Sequence, residues 1–217
     1  MRKPPASRCN GGARNVSRLL GVLLSLAISA VISASFGVAL STAYAAETAA
    51  LKAGVFDPAR MAPDFTLRGS NGGDVTLSRY RGKLVLLAFG YTSCTEVCPI
   101  TLAMLARARK ELADAGAELQ VVYVTVDPER DSVARMHEYL ANFDPSFIGG
   151  TGTELELAAV RRAYGIVATR IPAGSGYGIA HSSSVYIVDR DGALRAMMPY
   201  GRSAEDYVHD VKLLLKK

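Results

Sequence analysis

The sequence predicts an α/β domain with a mixed central sheet flanked by helices. Two near-continuous apolar runs of strand length carry that reading, residues 84–90 (Leu-Val-Leu-Leu-Ala-Phe-Gly) and 119–126 (Leu-Gln-Val-Val-Tyr-Val-Thr-Val). Strands buried on both faces read this way, and each run precedes a segment with helical spacing. Asn71-Gly72 and Asp191-Gly192 are hairpin signals that add antiparallel strands at either end. No internal repeat or second domain is visible, and about 155 residues suffice for one core.

Taken in order, residues 1–46 read as an export signal or membrane anchor. Arg2, Lys3, Arg8, Arg14 and Arg18 precede an uncharged stretch of 22 residues, 19–40, and Ala43-Tyr44-Ala45 offers a small-x-small cleavage site. The stretch is also long enough to stay uncleaved as a tether, so both outcomes stand. Either way the basic flank leaves residues 47–217 across the membrane, in the periplasm or its equivalent. Cys9 precedes the apolar stretch and is no lipid-attachment site. Residues 47–60 read as a linker and 61–217 as the folded domain. Residues 64–67 and 74–78 form an N-terminal hairpin, 84–90 the central strand, and 100–115 a helix ended by Gly116. After the strand at 119–126, residues 131–142 are helical and 149–152 (Gly-Gly-Thr-Gly) a tight turn. A phosphate loop would need a following lysine, which is absent. Thr153 and Glu156 form a capping box that opens a helix to Tyr164. Residues 166–171 read as a strand, 172–178 as a mobile loop with three glycines, 183–189 and 194–198 as strands, and Ser203 caps a final helix.

The chain carries 25 basic and 20 acidic residues, and the excess lies wholly in the N-terminal segment, since residues 47–217 hold 20 of each. The high pI therefore says nothing for nucleic acid, and no basic stripe with interleaved aromatics is present.

The exported part holds two cysteines, Cys94 and Cys98, at the turn from the central strand into the next helix. A structural disulfide is the plain alternative, but three intervening residues constrain an unfolded chain little. Pro99 suits a first helical position, which places Cys98 at or beside the N-cap, where helix dipole and free N–H groups favour thiolate. Paired thiolates suit redox chemistry or a soft metal, Cu(I) or Zn. His181, at the entrance to the strand at 183–189, would add an imidazole. A Cys, Cys, His set falls one ligand short of a closed zinc site and suits copper that is taken up and handed on. A lone histidine is also often a hydrogen-bonded surface residue, and both readings stand on sequence alone. It would face the cysteine turn if its strand runs antiparallel to the central one. His137 and His209 read as solvated.

Residues 89–99 (Phe-Gly-Tyr-Thr-Ser-Cys-Thr-Glu-Val-Cys-Pro) resemble the signature of the Sco/SenC family, as do residues 126–131 (Val-Asp-Pro-Glu-Arg-Asp). Phe147-Ile148-Gly149 with Thr151-Gly152-Thr153 fits too, and so does His181 before a strand ending in Asp191-Gly192. The resemblance spans residues 62–215. It implies a thioredoxin-like fold and copper bound by Cys94, Cys98 and His181. It also implies delivery of copper to the Cu-A site of cytochrome c oxidase (subunit II), or reduction of that site's thiols with Cys94 and Cys98 as redox groups. Other copper chaperones would be further partners. Two positions depart from the family pattern. Thr95-Glu96 stands where Pro-Asp is usual, and Ala180 where an aspartate usually precedes the histidine, which removes an outer-sphere partner or docking charge.

Three functions follow: a copper metallochaperone rather than an enzyme, a thiol–disulfide reductase, or a peroxiredoxin-like peroxidase. The reductase reading departs from the CxxC of thioredoxins and leaves His181 without a task. The peroxidase reading leaves the histidine equally unexplained.

Overall fold

The computed structural model describes residues 50–216. The export or anchor segment expected at 1–46 lies outside them. Among the described residues no helix is long and apolar enough to cross a membrane.

Strand β1 (Gly54–Met61) opens the fold, followed by the hairpin β2 (Thr66–Gly69) and β3 (Asp74–Thr76). Then come β4 (Leu84–Gly90), α1 (Val97–Glu111), β5 (Leu119–Thr125), α2 (Val133–Ala141), β6 (Ile148–Thr151) and α3 (Glu154–Tyr164). A hairpin, β7 (Ala168–Ala173) and β8 (Gly176–His181), precedes β9 (Val185–Val188), β10 (Ala193–Met198) and α4 (Ala204–Leu215). Eight strands form one mixed sheet in the order β1-β10-β9-β4-β5-β6-β2-β3, while β7 and β8 pair only with each other. The two apolar runs are the sheet's centre: β4 and β5 are buried at every position and lie parallel, with Leu84 opposite Leu119 and Gly90 opposite Thr125.

Side chains alternate across a sheet, and this places the helices. Ala88 pairs with Tyr123 and Phe89 with Val124, so Phe89 and Tyr123 point to opposite faces. Phe89 meets Tyr164 of α3 and Tyr186, whereas Tyr123 meets Tyr139 of α2. The core is thus covered on both faces. The capping box at Thr153 and Glu156 is present, Gly165 ends α3 in the left-handed region (φ 67°), and Ser203 caps α4 with Asp206.

Several expectations are corrected. Residues 54–60 are no linker: they belong to β1, which pairs with β10, and the Asp210 carboxylate accepts the amides of Lys52 (2.7 Å) and Ala53 (2.9 Å). An exposed edge strand with little apolar alternation gives no sequence signal. His209 is not simply solvated, since its Nδ1 bonds Asp210 at 2.9 Å. α1 starts at Val97 and ends at Glu111, before Gly116. Gly116 serves a close approach instead, since a Cβ there would stand 2.6 Å from the Arg109 carbonyl oxygen. α2 begins at Val133, capped by Ser132, which frees Asp131 for another task. The glycines at 149–150 are strand, not turn: Gly149 lies under Met136 and Leu140 of α2, and Gly150 against Leu67 and Val75. The mobile loop expected at 172–178 is the β7–β8 hairpin, turning at Gly174 (φ 56°), and the strand expected at 166–171 is shifted to 168–173.

Candidate metal centre

The parallel pairing of β4 and β5 brings their C-terminal loops together, and β9 runs antiparallel to β4, with Val85 opposite Val188 and Leu87 opposite Tyr186. The chain entering β9 therefore passes the C-terminal end of β4. That topology delivers His181, the last residue of β8, to the cysteine turn. Its Nε2 lies 3.5 Å from the Cys98 Sγ. Its Nδ1 is 2.8 Å from the Ser182 carbonyl oxygen, which accepts only from an N–H, so the proton sits on Nδ1 and the Nε2 lone pair faces the sulfur. Burial lowers the pKa of His181, against the hydrogen bond to Ser182, and favours this neutral form. The Tyr91 ring stands edge-on to the imidazole, centroids 5.9 Å apart.

Both cysteines are free thiols, and they differ. Cys94, half-buried, sits in front of α1. Burial pushes its thiol up, but the amides of Cys98, Glu96 and Val97 aimed at the sulfur outweigh this, and its pKa is lowered. The Cys98 amide is 3.5 Å from the Cys94 Sγ. The expectation that Cys98 would be the activated thiol is therefore reversed. Glu96 is the N-cap, so Cys98 is the second helical residue, and its side chain turns inward beneath Gly90 and Tyr123. There burial pushes its thiol up to about 12, despite help from the Tyr123 hydroxyl and the Tyr91 amide. A cation soft enough to displace that proton would gain the Cys98 sulfur, the half-buried Cys94 sulfur beside it and an imidazole nitrogen.

Gly90 makes room for this arrangement, since a Cβ there would lie 2.7 Å from the Cys98 Sγ and 2.1 Å from the Tyr123 hydroxyl. The turn itself is held by Asp131, fully buried. Its carboxylate accepts from the Thr92 amide (3.1 Å), the Thr92 hydroxyl (2.6 Å) and the Thr125 hydroxyl (2.6 Å). In this conformation, among the described residues, no three His, Cys, Asp or Glu side chains are already closed around a metal position. Cys94 meets Cys98 and Cys98 meets His181, while His137 and His209 lie on helices α2 and α4 and, among the described residues, make no hydrogen bond to the three. Sequence reasoning missed Tyr91, Tyr123, Asp131 and Arg130. The motif at 126–131 held the signal for two of them, with nothing to say what either touched.

The SCO1/SenC family model matches residues 55–216. The chain belongs to the SCO1/SenC family. A curated relative, the mitochondrial SCO2 homolog of Bos taurus, is 35% identical over 153 residues, which is 69% of this chain and 58% of that protein. The chain thus matches less than two thirds of that relative's length. Among solved structures, Bradyrhizobium japonicum ScoI with copper bound aligns with a TM-score of 0.66 at 32% identity, covering 71% of this chain and 99% of that one. Apo Sco1 from Thermus thermophilus aligns with a TM-score of 0.68 at 30% identity, covering 76% and 97%. The fold of this SCO1/SenC chain is thioredoxin-like, as the resemblance implied.

Proposed function

We propose that this chain is a copper metallochaperone that binds copper through Cys94, Cys98 and His181 and delivers it to the Cu-A site of cytochrome c oxidase subunit II. One observation carries the reading: the unprotonated Nε2 of His181 is aimed at the Cys98 sulfur from 3.5 Å, with its other nitrogen tied to a backbone carbonyl. Metal-ligating histidines are oriented this way, and a reductase would have no use for it. Copper-bound relatives, and a solved Sco structure described as a cytochrome c oxidase assembly protein, agree with a role in handling copper for the oxidase. Three donors would leave a further coordination position for a receiving site, as cargo that must be released requires.

A second reading, reduction of the oxidase's Cu-A thiols, is favoured by the asymmetry of the cysteines. Cys94 is partly exposed and drawn toward thiolate, while Cys98 is buried and protonated, the division of labour of an attacking and a resolving thiol. The two readings separate when copper-loaded protein is mixed with the reduced apo Cu-A domain. A chaperone converts it to the Cu-A spectrum. A reductase leaves it colourless but reduces the oxidised domain, with or without His181. We place residues 47–217 in the periplasm or its equivalent, either free after cleavage near Ala45 or tethered by residues 19–40. A reporter active only in the cytoplasm, fused after Lys217, is expected to be silent, and activity there would contradict this.

A further inference from the structure

The ribbon β7–β8, which carries His181 at its end, pairs with no strand of the main sheet. Nor does apolar burial hold it: of its twelve residues only Ile179 is buried. An isolated two-stranded ribbon is marginally stable in water, so its attachments decide where the histidine stands.

Those attachments converge on Arg130, in the turn after β5. Its guanidinium carbon lies 3.8 Å from the ring centroid of Tyr177, on β8, and 5.6 Å from that of Tyr91, in the cysteine turn. Its Nη1 donates to the Tyr177 carbonyl at 3.0 Å, and its Nε pairs with the fully buried carboxylate of Asp127. The Tyr177 hydroxyl donates to that same carboxylate at 2.9 Å, which closes a ring of three side chains. From the other side the Tyr91 hydroxyl accepts the Ile179 amide at 3.2 Å. One planar cation thus touches an aromatic ring of the cysteine turn and one of the histidine ribbon. A planar guanidinium can stack and donate at once, and a lysine ammonium cannot. Arg170, on β7, lies over the same Tyr177 ring at 4.5 Å, a contact within the ribbon, and its exposed pair with Glu129 adds little to the clamp.

We infer that Arg130 is a positioning residue that clamps the β7–β8 ribbon onto the cysteine turn and so sets His181 beside Cys98. The inference rests on the reading of His181 as the third copper ligand. Because Arg130 and Tyr177 are only partly buried and neither belongs to β4 or β5, their contact can open without disturbing those strands. The histidine can then withdraw while both sulfurs keep their places.

The test is amide hydrogen exchange on the full chain without metal, for the parent, Arg130→Met and Arg130→Lys, with Cu(I) and Cu(II) titrations alongside. Arg130→Met should speed exchange across 168–181 about tenfold, as expected for loss of one partly buried cation–π stack together with the hydrogen bond to the Tyr177 carbonyl, and leave β4 and β5 unchanged. It should weaken Cu(II) binding about tenfold and Cu(I), held by the two sulfurs, less. Arg130→Lys should recover part of each effect. Unchanged ribbon exchange in Arg130→Met overturns the inference. Should that variant not fold, Tyr177→Leu removes the stack from the ribbon side and is judged by the same exchange pattern. If His181→Ala binds copper as the parent does, the ligand reading fails, and ribbon exchange in Arg130→Met still decides the clamp.

Discussion

Replacing Gly90 by alanine should disable the centre while replacing none of its donors. A Cβ on Gly90 would lie 2.1 Å from the Tyr123 hydroxyl oxygen, 2.8 Å from its Cζ and 2.7 Å from the Cys98 Sγ. Ordinary contact is about 3.5–4.0 Å, so each neighbour must retreat by about an ångström. Neither has an easy route. Tyr123 is 1% exposed in the central strand pair, and Cys98 is 3% exposed in the first turn of α1. Overpacking of this kind costs about 1–3 kcal/mol. For a domain of this size that is a fall in Tm of about 2–12 °C, at about 2–4 °C per kcal/mol. The displaced sulfur should also leave the reach of His181 Nε2 and lower copper affinity. Adding Tyr123→Phe removes the closest contact but leaves the ring carbon in the way, so it should restore part of the stability. Thermal unfolding followed by circular dichroism, with a Cu(I) competition titration, measures both effects. A Gly90→Ala variant with the parent's Tm and the parent's affinity would refute this account of the glycine.

Two further outcomes follow from the site. Protein with Cys94 and Cys98 joined as a disulfide should bind Cu(I) at least about 10–100-fold more weakly than reduced protein in a competition titration, because only His181 remains, and equal affinities would contradict this. Burial raises the Asp131 carboxyl above its ordinary value, against the hydrogen bonds from Thr125 and Thr92, so the folded chain holds that proton more readily than the unfolded chain. Its contribution to stability is full below the unfolded value of about 4 and is lost as pH rises through the raised folded value. In urea titrations, parent stability relative to Asp131→Asn should therefore decline upward from about pH 4, and a difference that is flat or grows with pH would contradict this.

What was legible in the sequence follows from how local each signal is. The central strands β4 and β5, the cap at Thr153 and the hairpin turn at Asp191-Gly192 are written in runs of adjacent residues, and they stand where expected. The cysteine pair was legible for the same reason. β1 was not, because an exposed edge strand needs no apolar alternation, and its partner β10 lies more than a hundred residues away. The glycines of β6 read as a turn because nothing nearby shows that Met136 and Leu140 occupy the space side chains would take. The pull toward thiolate expected at Cys98 falls on Cys94 instead. Helix position argued for Cys98 as the thiolate, but the direction of its side chain, into the space left by Gly90, makes burial the larger effect. Asp131 looked like the start of a helix and is instead the buried acceptor that fixes the cysteine turn.

Copper K-edge X-ray absorption on the copper-loaded chain, compared with His181→Ala loaded in the same way, tests the proposed ligand set most directly. The proposed ligand set predicts sulfur scatterers from both cysteines with one imidazole in the parent, and loss of the imidazole signature alone in the variant. An imidazole signature missing from the parent, or kept in His181→Ala, would contradict it. His181 would then be a structural residue, and the reductase reading would take precedence.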